Sequence, residues 1–429
     1  MPQRSPRRPS ASSAAPRPPR IGLALAGGGP LGAIYEVGAL CALEESIEGL
    51  DITQCEGFIG VSAGGIIAAC LANGLTPREL VAGFIENSSA PPDHFDPRVL
   101  LHPHWREIRS RLRRLPKLLG EAAWRVLVER RSLLGAIELL GQALPSGFLT
   151  SDPLAAQLKA MFSLPGRSDD FRQLRRRLLL VASDLDSGEA VAFGTPGWDH
   201  VPISRAVQAS AALPGLYPPV LIDGRYLVDG ALKKTMHGSL LLDQGIDLLF
   251  MLNPLVPYQV SPKERQLRAK PGIPKLVEGG LPVVLSQMLR SLIHSRLELG
   301  MRNYTHSHPG TDIVFFEPDH RDGELFLANT FSYRHRRELA EHAYQSTRAD
   351  LLRRAPTLAS QLAKHGLRLD MEHLLDPTRR LLDAWDTPSR SPAERALLKL
   401  DEILTLLEAR AQQAAEAMEA EDNWAAEAA

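Results

Sequence analysis

Gly60-Val61-Ser62-Ala63-Gly64 is a G-x-S-x-G pattern, and its chemistry depends on its spacing. A serine held on a sharp turn from strand to helix can attack a carbonyl, provided nothing bulky stands beside it. Glycines two residues before and two residues after leave that room. The helix that follows aims its first N–H groups at the negative charge that develops. The surroundings suit this reading: 57–60 (Gly-Phe-Ile-Gly) reads as a short apolar strand, and 64–72 as a helix of small apolar residues. A serine also needs a base. Of three Asp-Gly pairs, Asp223-Gly224 reads as the turn of a hairpin between 220–222 and 226–228, and Asp322-Gly323 as loop chemistry. Asp229-Gly230-Ala231 follows a strand, and strand ends are where sites in parallel sheets are built. His237, eight residues further on, is the nearest histidine, but nothing in the sequence places it beside Ser62.

A second stretch, Leu-Ala-Leu-Ala-Gly-Gly-Gly-Pro-Leu-Gly-Ala (23–33), also prepares for an anion. Gly27, Gly29 and Gly32 spell G-x-G-x-x-G, the fingerprint of a dinucleotide turn. The same glycines could instead offer backbone N–H groups to a tetrahedral oxyanion. A dinucleotide site wants an acid about 20 residues later, at the end of the next strand, to bind the ribose. Asp51 is near that position but follows Glu-Gly-Leu rather than an apolar strand. The next strand delivers Ser62 instead. Two consecutive βα units would then set an oxyanion hole beside a nucleophile, so the oxyanion reading is preferred.

The elements that must hold these residues follow from apolar patterning. Continuous apolar runs at 21–26, 57–60, 178–184, 247–252 and 312–316, separated by helical segments, predict an α/β fold with a largely parallel sheet covered on both faces. Pro30 suits the first turn of a helix whose apolar positions run through Ile34, Val37, Leu40 and Cys41. Residues 105–131 read as a basic amphipathic helix, with nine Lys/Arg against three Glu and a break expected at Pro116. Residues 281–297 form another amphipathic helix, and 391–420 a third. The third has a Ser391–Glu394 capping box and a stripe from Leu397 to Met418, after a Pro-containing linker at 376–391.

Bulk properties narrow the classes. The chain has 429 residues, 44% hydrophobic and 23% charged, with a net charge of −1. No global charge excess calls for nucleic acid. Cys41, Cys55 and Cys70 form no C-x-x-C pair, and an odd count argues against a disulfide framework, so they read as small core residues in a reducing compartment. Residues 1–20 hold five arginines without an acid or an apolar core, the composition of a disordered basic tail rather than a secretory signal. No apolar run is long enough to span a bilayer. His306 and His308 read as a polar loop pair. No metal or organic cofactor is expected.

Taken together, "GGGPLG", "GVSAGG" about 30 residues later and "DGA" far downstream resemble the patatin-like phospholipase family. The stretches "ASAALPGLYPPVLIDGRYLVDGA" (209–231) and "LLLVASDLDSGEAVAF" are also similar to blocks of that family. The resemblance covers roughly residues 20–255, and 312–345 more loosely. It implies a patatin-like three-layer α/β/α sandwich with extra helices, hydrolysing lipid acyl esters through a Ser–Asp dyad without histidine. Carried over, Ser62 is the nucleophile, Asp229 the base, and the N–H groups of Gly27, Gly28 and Gly29 the oxyanion hole. Gly32, Gly60, Gly64, Gly230 and Ala231 complete the motifs. Leu31 stands where the family commonly has Arg or Lys, and Thr235 and His237 where it often has Asn and Pro. The expected organisation is a basic tail (1–19), a catalytic domain (20–350) with a helical insertion near 96–146, and a helical C-terminal extension (351–429). The expected partner is a lipid ester, with anionic membrane met through 105–131 and self-association through the C-terminal helix. The expected location is cytoplasmic and peripheral on the membrane. The alternatives are a catalytically silent lipid- or membrane-binding protein and a dinucleotide-binding oxidoreductase.

Overall fold

The computed structural model describes residues 17–86, 88, 93–127, 141, 143–259, 276–322 and 333–382. The apolar runs become β1 (Ile21–Leu25), β3 (Gly57–Val61), β4 (Arg177–Asp184), β8 (Leu248–Leu252) and β9 (Asp312–Phe316). These five strands are mutually parallel where they pair, in the order β4-β3-β1-β8-β9. On the far side, β7 (Arg225–Asp229) and β6 (Val220–Ile222) form the hairpin turned by Asp223-Gly224, antiparallel to each other and to β4. Strand β5 (Ala190–Phe193) also pairs with β4, giving eight strands. A separate two-residue strand, β2 (Ile47–Glu48), pairs with β10 (Arg368–Leu369).

Side chains alternate across the sheet and fill two layers of core. Ala24, Ile59, Leu179, Val181 and Met251 face helices α7 (Ser239–Leu242) and α8 (Gly280–Ser307), which contribute Leu241, Leu242, Ile293, Leu297 and Tyr304. On the opposite face, α2 (Ala63–Ala72) packs on β3 and β4, α1 (Gly29–Ser46) packs on α2 and on the short α3 (Pro77–Leu80), α9 (Tyr333–Ala363) lies along α1, and α5 (Asp152–Phe162) packs on α6 (Ile203–Ser210). This is the expected α/β/α sandwich with a mostly parallel sheet. All three cysteines are buried and free.

The register explains how the sheet places the site. Strand β3 pairs with β4 up to Val61↔Val181. Strand β7, running the other way, pairs with β4 from Ala182↔Asp229 onward. The C-terminal ends of β3 and β7 therefore meet at adjacent positions of β4. The residue after Val61 is Ser62, and the last residue of β7 is Asp229.

Several boundaries differ from the sequence reading. Helix α4 (Trp105–Leu127) runs through Pro116 without the expected break. Helix α8 continues past 297 because Leu297, Met301 and Tyr304 extend its apolar stripe. Helix α9 is unbroken across position 350, and the compact unit extends to Leu381. Arg17, placed in the tail, is tied down by a 2.9 Å ion pair with Asp247. The 391–420 heptads and residues 128–131 lie outside the described residues. No helix among the described residues is long and apolar enough to cross a membrane.

Candidate active site

Ser62 stands between β3 and α2 with φ 54° and ψ −123°, a conformation that L side chains rarely adopt. The strain is held by close packing around the turn. A Cβ at Gly60 would fall 2.5 Å from Gly64 O, and one at Gly64 would drive into the carbonyl of Ala26. The turn also has a support that the motif does not reveal. The Ser62 N–H donates to Ser210 Oγ at 2.9 Å, and the Ser210 hydroxyl donates to Val181 O at 2.6 Å. Ser210 is fully buried at the end of α6 (Ile203–Ser210). It thus ties the serine turn to β4. The sequence carried one hint of this: a lone hydroxyl in the apolar run Ala209–Ala212, which must find partners once buried.

Asp229 is 3% exposed at the end of β7. Its Oδ1 accepts the Ala231 N–H at 2.9 Å, and it lines the same cavity as Ser62. Burial pushes its pKa from 3.8 up to about 6, against the opposing pull of the nearby Ser62 hydroxyl and the Ala231 N–H. The structure thus brings Ser62 and Asp229 together.

The glycine loop closes over the same point. A Cβ on Gly27 would sit 3.0 Å from Ser62 Cβ, so glycine lets the loop approach the serine without crowding it. Gly28 and Gly29 line the cavity with Gly27, Ser62 and Asp229, and Gly32 N–H donates to Gly28 O as the first turn of α1 forms. The first N–H groups of a helix have no partner within it. Gly230 and Ala231 open a short 3-10 turn behind Asp229.

From this point a cavity of about 240 Å³ extends between walls that are mostly apolar, among them Ile34, Ile66, Phe84, Leu154, Leu216 and Ile293. Two arginines missed by the sequence reading, Arg290 on α8 and Arg336 on α9, also line it. Arg336 Nη1 donates to Phe84 O at 3.0 Å, and Arg290 Nη1 to Val256 O at 3.4 Å. Leu31 lines a small adjoining hollow with Arg290, so a cation stands near the position that lacks one in sequence.

Other candidates go elsewhere. His237 does not line the cavity; it is buried, and burial pushes its pKa down to about 4, leaving it neutral at pH 7. Thr235 donates its hydroxyl to Ile293 O, which ties the loop after Asp229 to α8. Asp51 caps a 3-10 turn by accepting from Thr53 N–H at 2.9 Å. It is a locally bonded loop residue and does not stand at the end of a strand, where a ribose-binding acid would be expected. His308 Nε2 lies 3.0 Å from Asp243, an ordinary surface pair.

Among solved structures, the chain is similar to VipD from Legionella pneumophila at 15% identity. That match covers 77% of this chain and 68% of VipD, with a TM-score of 0.33. The type III effector ExoU of Pseudomonas aeruginosa matches at 17% identity, over 79% of this chain and 54% of its own, with a TM-score of 0.33. Human GIVD cytosolic phospholipase A2 matches at 15% identity, over 58% and 46%, with a TM-score of 0.23. The chain thus spans about half the length of the last two. In sequence, residues 23–236 match the model of the patatin-like phospholipase family, a segment that runs from the glycine loop through the serine turn to Asp229 and its loop. Through that domain the chain belongs to the patatin-like phospholipases, a family of lipid ester hydrolases.

Proposed function

We infer that the chain is a serine acyl hydrolase in which Ser62 and Asp229 form a two-residue catalytic unit. The observation that carries this reading is that Ser62, the buried Asp229 carboxylate and a three-glycine loop line one end of a single apolar cavity. Ser62 Oγ attacks the ester carbonyl as its proton passes to Asp229. The resulting oxyanion is held by backbone N–H groups of Gly27, Gly28 and Gly29, each such donor being worth roughly 10²–10³ in rate. The tetrahedral intermediate collapses, and the leaving alcohol takes the proton from Asp229. Water then attacks the acyl-serine, Asp229 accepts its proton, and the fatty acid leaves as Ser62 regains a hydrogen. No histidine is needed, because a carboxylate raised to about 6 is a stronger base than an ordinary one and remains mostly ionised at pH 7.

The substrate is a lipid ester whose acyl chain occupies the apolar cavity, a phospholipid or lysophospholipid in this reading. Contact with the membrane is peripheral. On α8, Leu289 and Ile293 face the cavity while Leu285, Met288 and Leu292 are exposed. On α4, Trp105, Leu112, Leu119 and Trp124 are exposed beside Arg106, Arg109, Arg113, Arg114 and Lys117. Such faces suit the boundary between headgroups and acyl chains.

The test is hydrolysis of phosphatidylcholine in mixed micelles and of p-nitrophenyl butyrate by wild type, Ser62→Ala and Asp229→Asn. Fatty acid and nitrophenol release by wild type, lost in both variants, supports the reading. Turnover that persists in folded Ser62→Ala refutes it.

A further inference from the structure

Outside the catalytic cavity, α8 and the segment after β9 bring together a different set of donors. His294 lies on α8, Glu317 immediately after β9, and His320 three residues later. One ligand atom from each lies within 4.8 Å of the other two. His320 Nε2 is 3.4 Å from Glu317 Oε1, and His294 Nδ1 is 3.8 Å from Glu317 Oε2. The two imidazoles meet edge to face, with ring centroids 4.7 Å apart. Bonds of about 2.0–2.2 Å around a tetrahedral Zn²⁺ put neighbouring ligand atoms roughly 3.4 Å apart, so the two histidine–carboxylate distances are already close to that spacing and no pair of ligand atoms needs to close by more than about 1.4 Å. Two imidazoles and one carboxylate form a donor set suited to zinc and its neighbours rather than to calcium or magnesium.

The outer partners support the same reading. A ligating histidine usually engages its other nitrogen with a carboxylate or carbonyl. His294 Nε2 lies 3.4 Å from Glu298 Oε1, and His320 Nδ1 lies 3.0 Å from the side-chain amide of Gln259. A half-turn of that amide presents its oxygen to the imidazole N–H, and the two orientations are nearly equivalent in shape. His294 Nδ1, which points to the centre of the cluster, is buried and makes no hydrogen bond. An acceptor nitrogen in that state favours a cation.

We propose that His294, Glu317 and His320 bind one divalent transition-metal ion of the zinc type, with water completing the coordination. None of the three lines the catalytic cavity, so the role is structural. Ile293, the residue before His294, forms part of the cavity wall. A bound ion would fasten that wall of α8 to the end of β9.

The test uses the untagged full chain, stripped with chelator and reloaded with ZnCl₂ or CoCl₂. The proposal expects one equivalent of zinc retained through dialysis, a Tm that rises with free Zn²⁺, and the intense visible bands of four-coordinate Co²⁺. Glu317→Gln and His320→Ala, each checked by circular dichroism to fold as the apo wild type does, should lose the retained metal. Glu298→Gln should weaken binding by about 10–100-fold. Zinc retention no greater than in the His294→Ala/His320→Ala double variant overturns the proposal. So does an unchanged affinity in the single ligand variants, or the weak bands of octahedral Co²⁺ in wild type. These readouts do not involve ester hydrolysis, so they stand apart from the fate of the dyad.

Discussion

At the scale of the single residue, the proposed mechanism rests on Asp229, and its burial has two consequences with opposite signs. The carboxylate must be ionised to take the Ser62 proton. With its pKa near 6, kcat/KM on a soluble ester should fall tenfold per pH unit below about 6 and level off above it. An exposed aspartate would put that bend near 4. Initial rates between pH 4.5 and 8 decide between them. Stability runs the other way. A folded-state pKa raised above the unfolded value stabilises the fold at low pH, and that contribution is lost as pH rises through about 6. Asp229→Asn removes a buried charge that wild type carries at pH 8. It should therefore gain up to about 3 kcal/mol at that pH, and little at pH 4. Thermal melts at both pH values would show a higher Tm for the inactive variant at pH 8 only. A lower Tm at pH 8 would mean that the carboxylate is better solvated than its 3% exposure implies. The pairing of Ser62 and Asp229 in one cavity was legible in sequence because each sits in a short motif at the end of an apolar strand. Arg290 and Arg336 were not, because they reach the cavity from helices far along the chain.

At the scale of elements, the site depends on strand register. Strands β3 and β7 end against neighbouring positions of β4, and Ser210 fixes the joint by bridging the Ser62 N–H to Val181 O. Ser210→Ala leaves the strained N–H without that acceptor. An unsatisfied buried group costs about 1–3 kcal/mol in stability. The variant should also lose about tenfold or more in kcat, because the nucleophile is less well held, while KM for a soluble ester and the pH midpoint set by Asp229 stay the same. A change confined to Tm, with kcat intact, would reduce Ser210 to a packing role. The strands themselves were legible because buried parallel strands are written as continuous apolar runs. Helix ends were less so. The apolar stripe of α8 continues through Met301 and Tyr304 at wider intervals than the run that first identifies the helix, and Pro116 on the exposed side of α4 signals a break that the helix does not make.

For the whole molecule, the proposed function asks how a chain with a net charge of −1 would meet a lipid surface. In the proposed reading the charge that matters is local, on α4, and the apolar contribution comes from the outer face of α8. Replacing Leu285, Met288 and Leu292 with serine leaves the cavity lining in place. It should reduce hydrolysis of anionic vesicles several-fold while sparing p-nitrophenyl butyrate, as parallel assays would show. Equal losses on both substrates would place those residues in the fold rather than at the membrane. The layered architecture was legible from the alternation of apolar strands and helical segments. The cavity was not, because its walls come from six or more separate segments whose convergence no local pattern encodes.

The most direct test of the central claim is covalent labelling with a fluorescent fluorophosphonate, followed by mapping of the modified peptide. The account predicts a single adduct on Ser62 in wild type, none in Ser62→Ala, and strongly slowed labelling in Asp229→Asn. Equal labelling of folded Ser62→Ala, or no labelling of wild type even with anionic vesicles present, would contradict it.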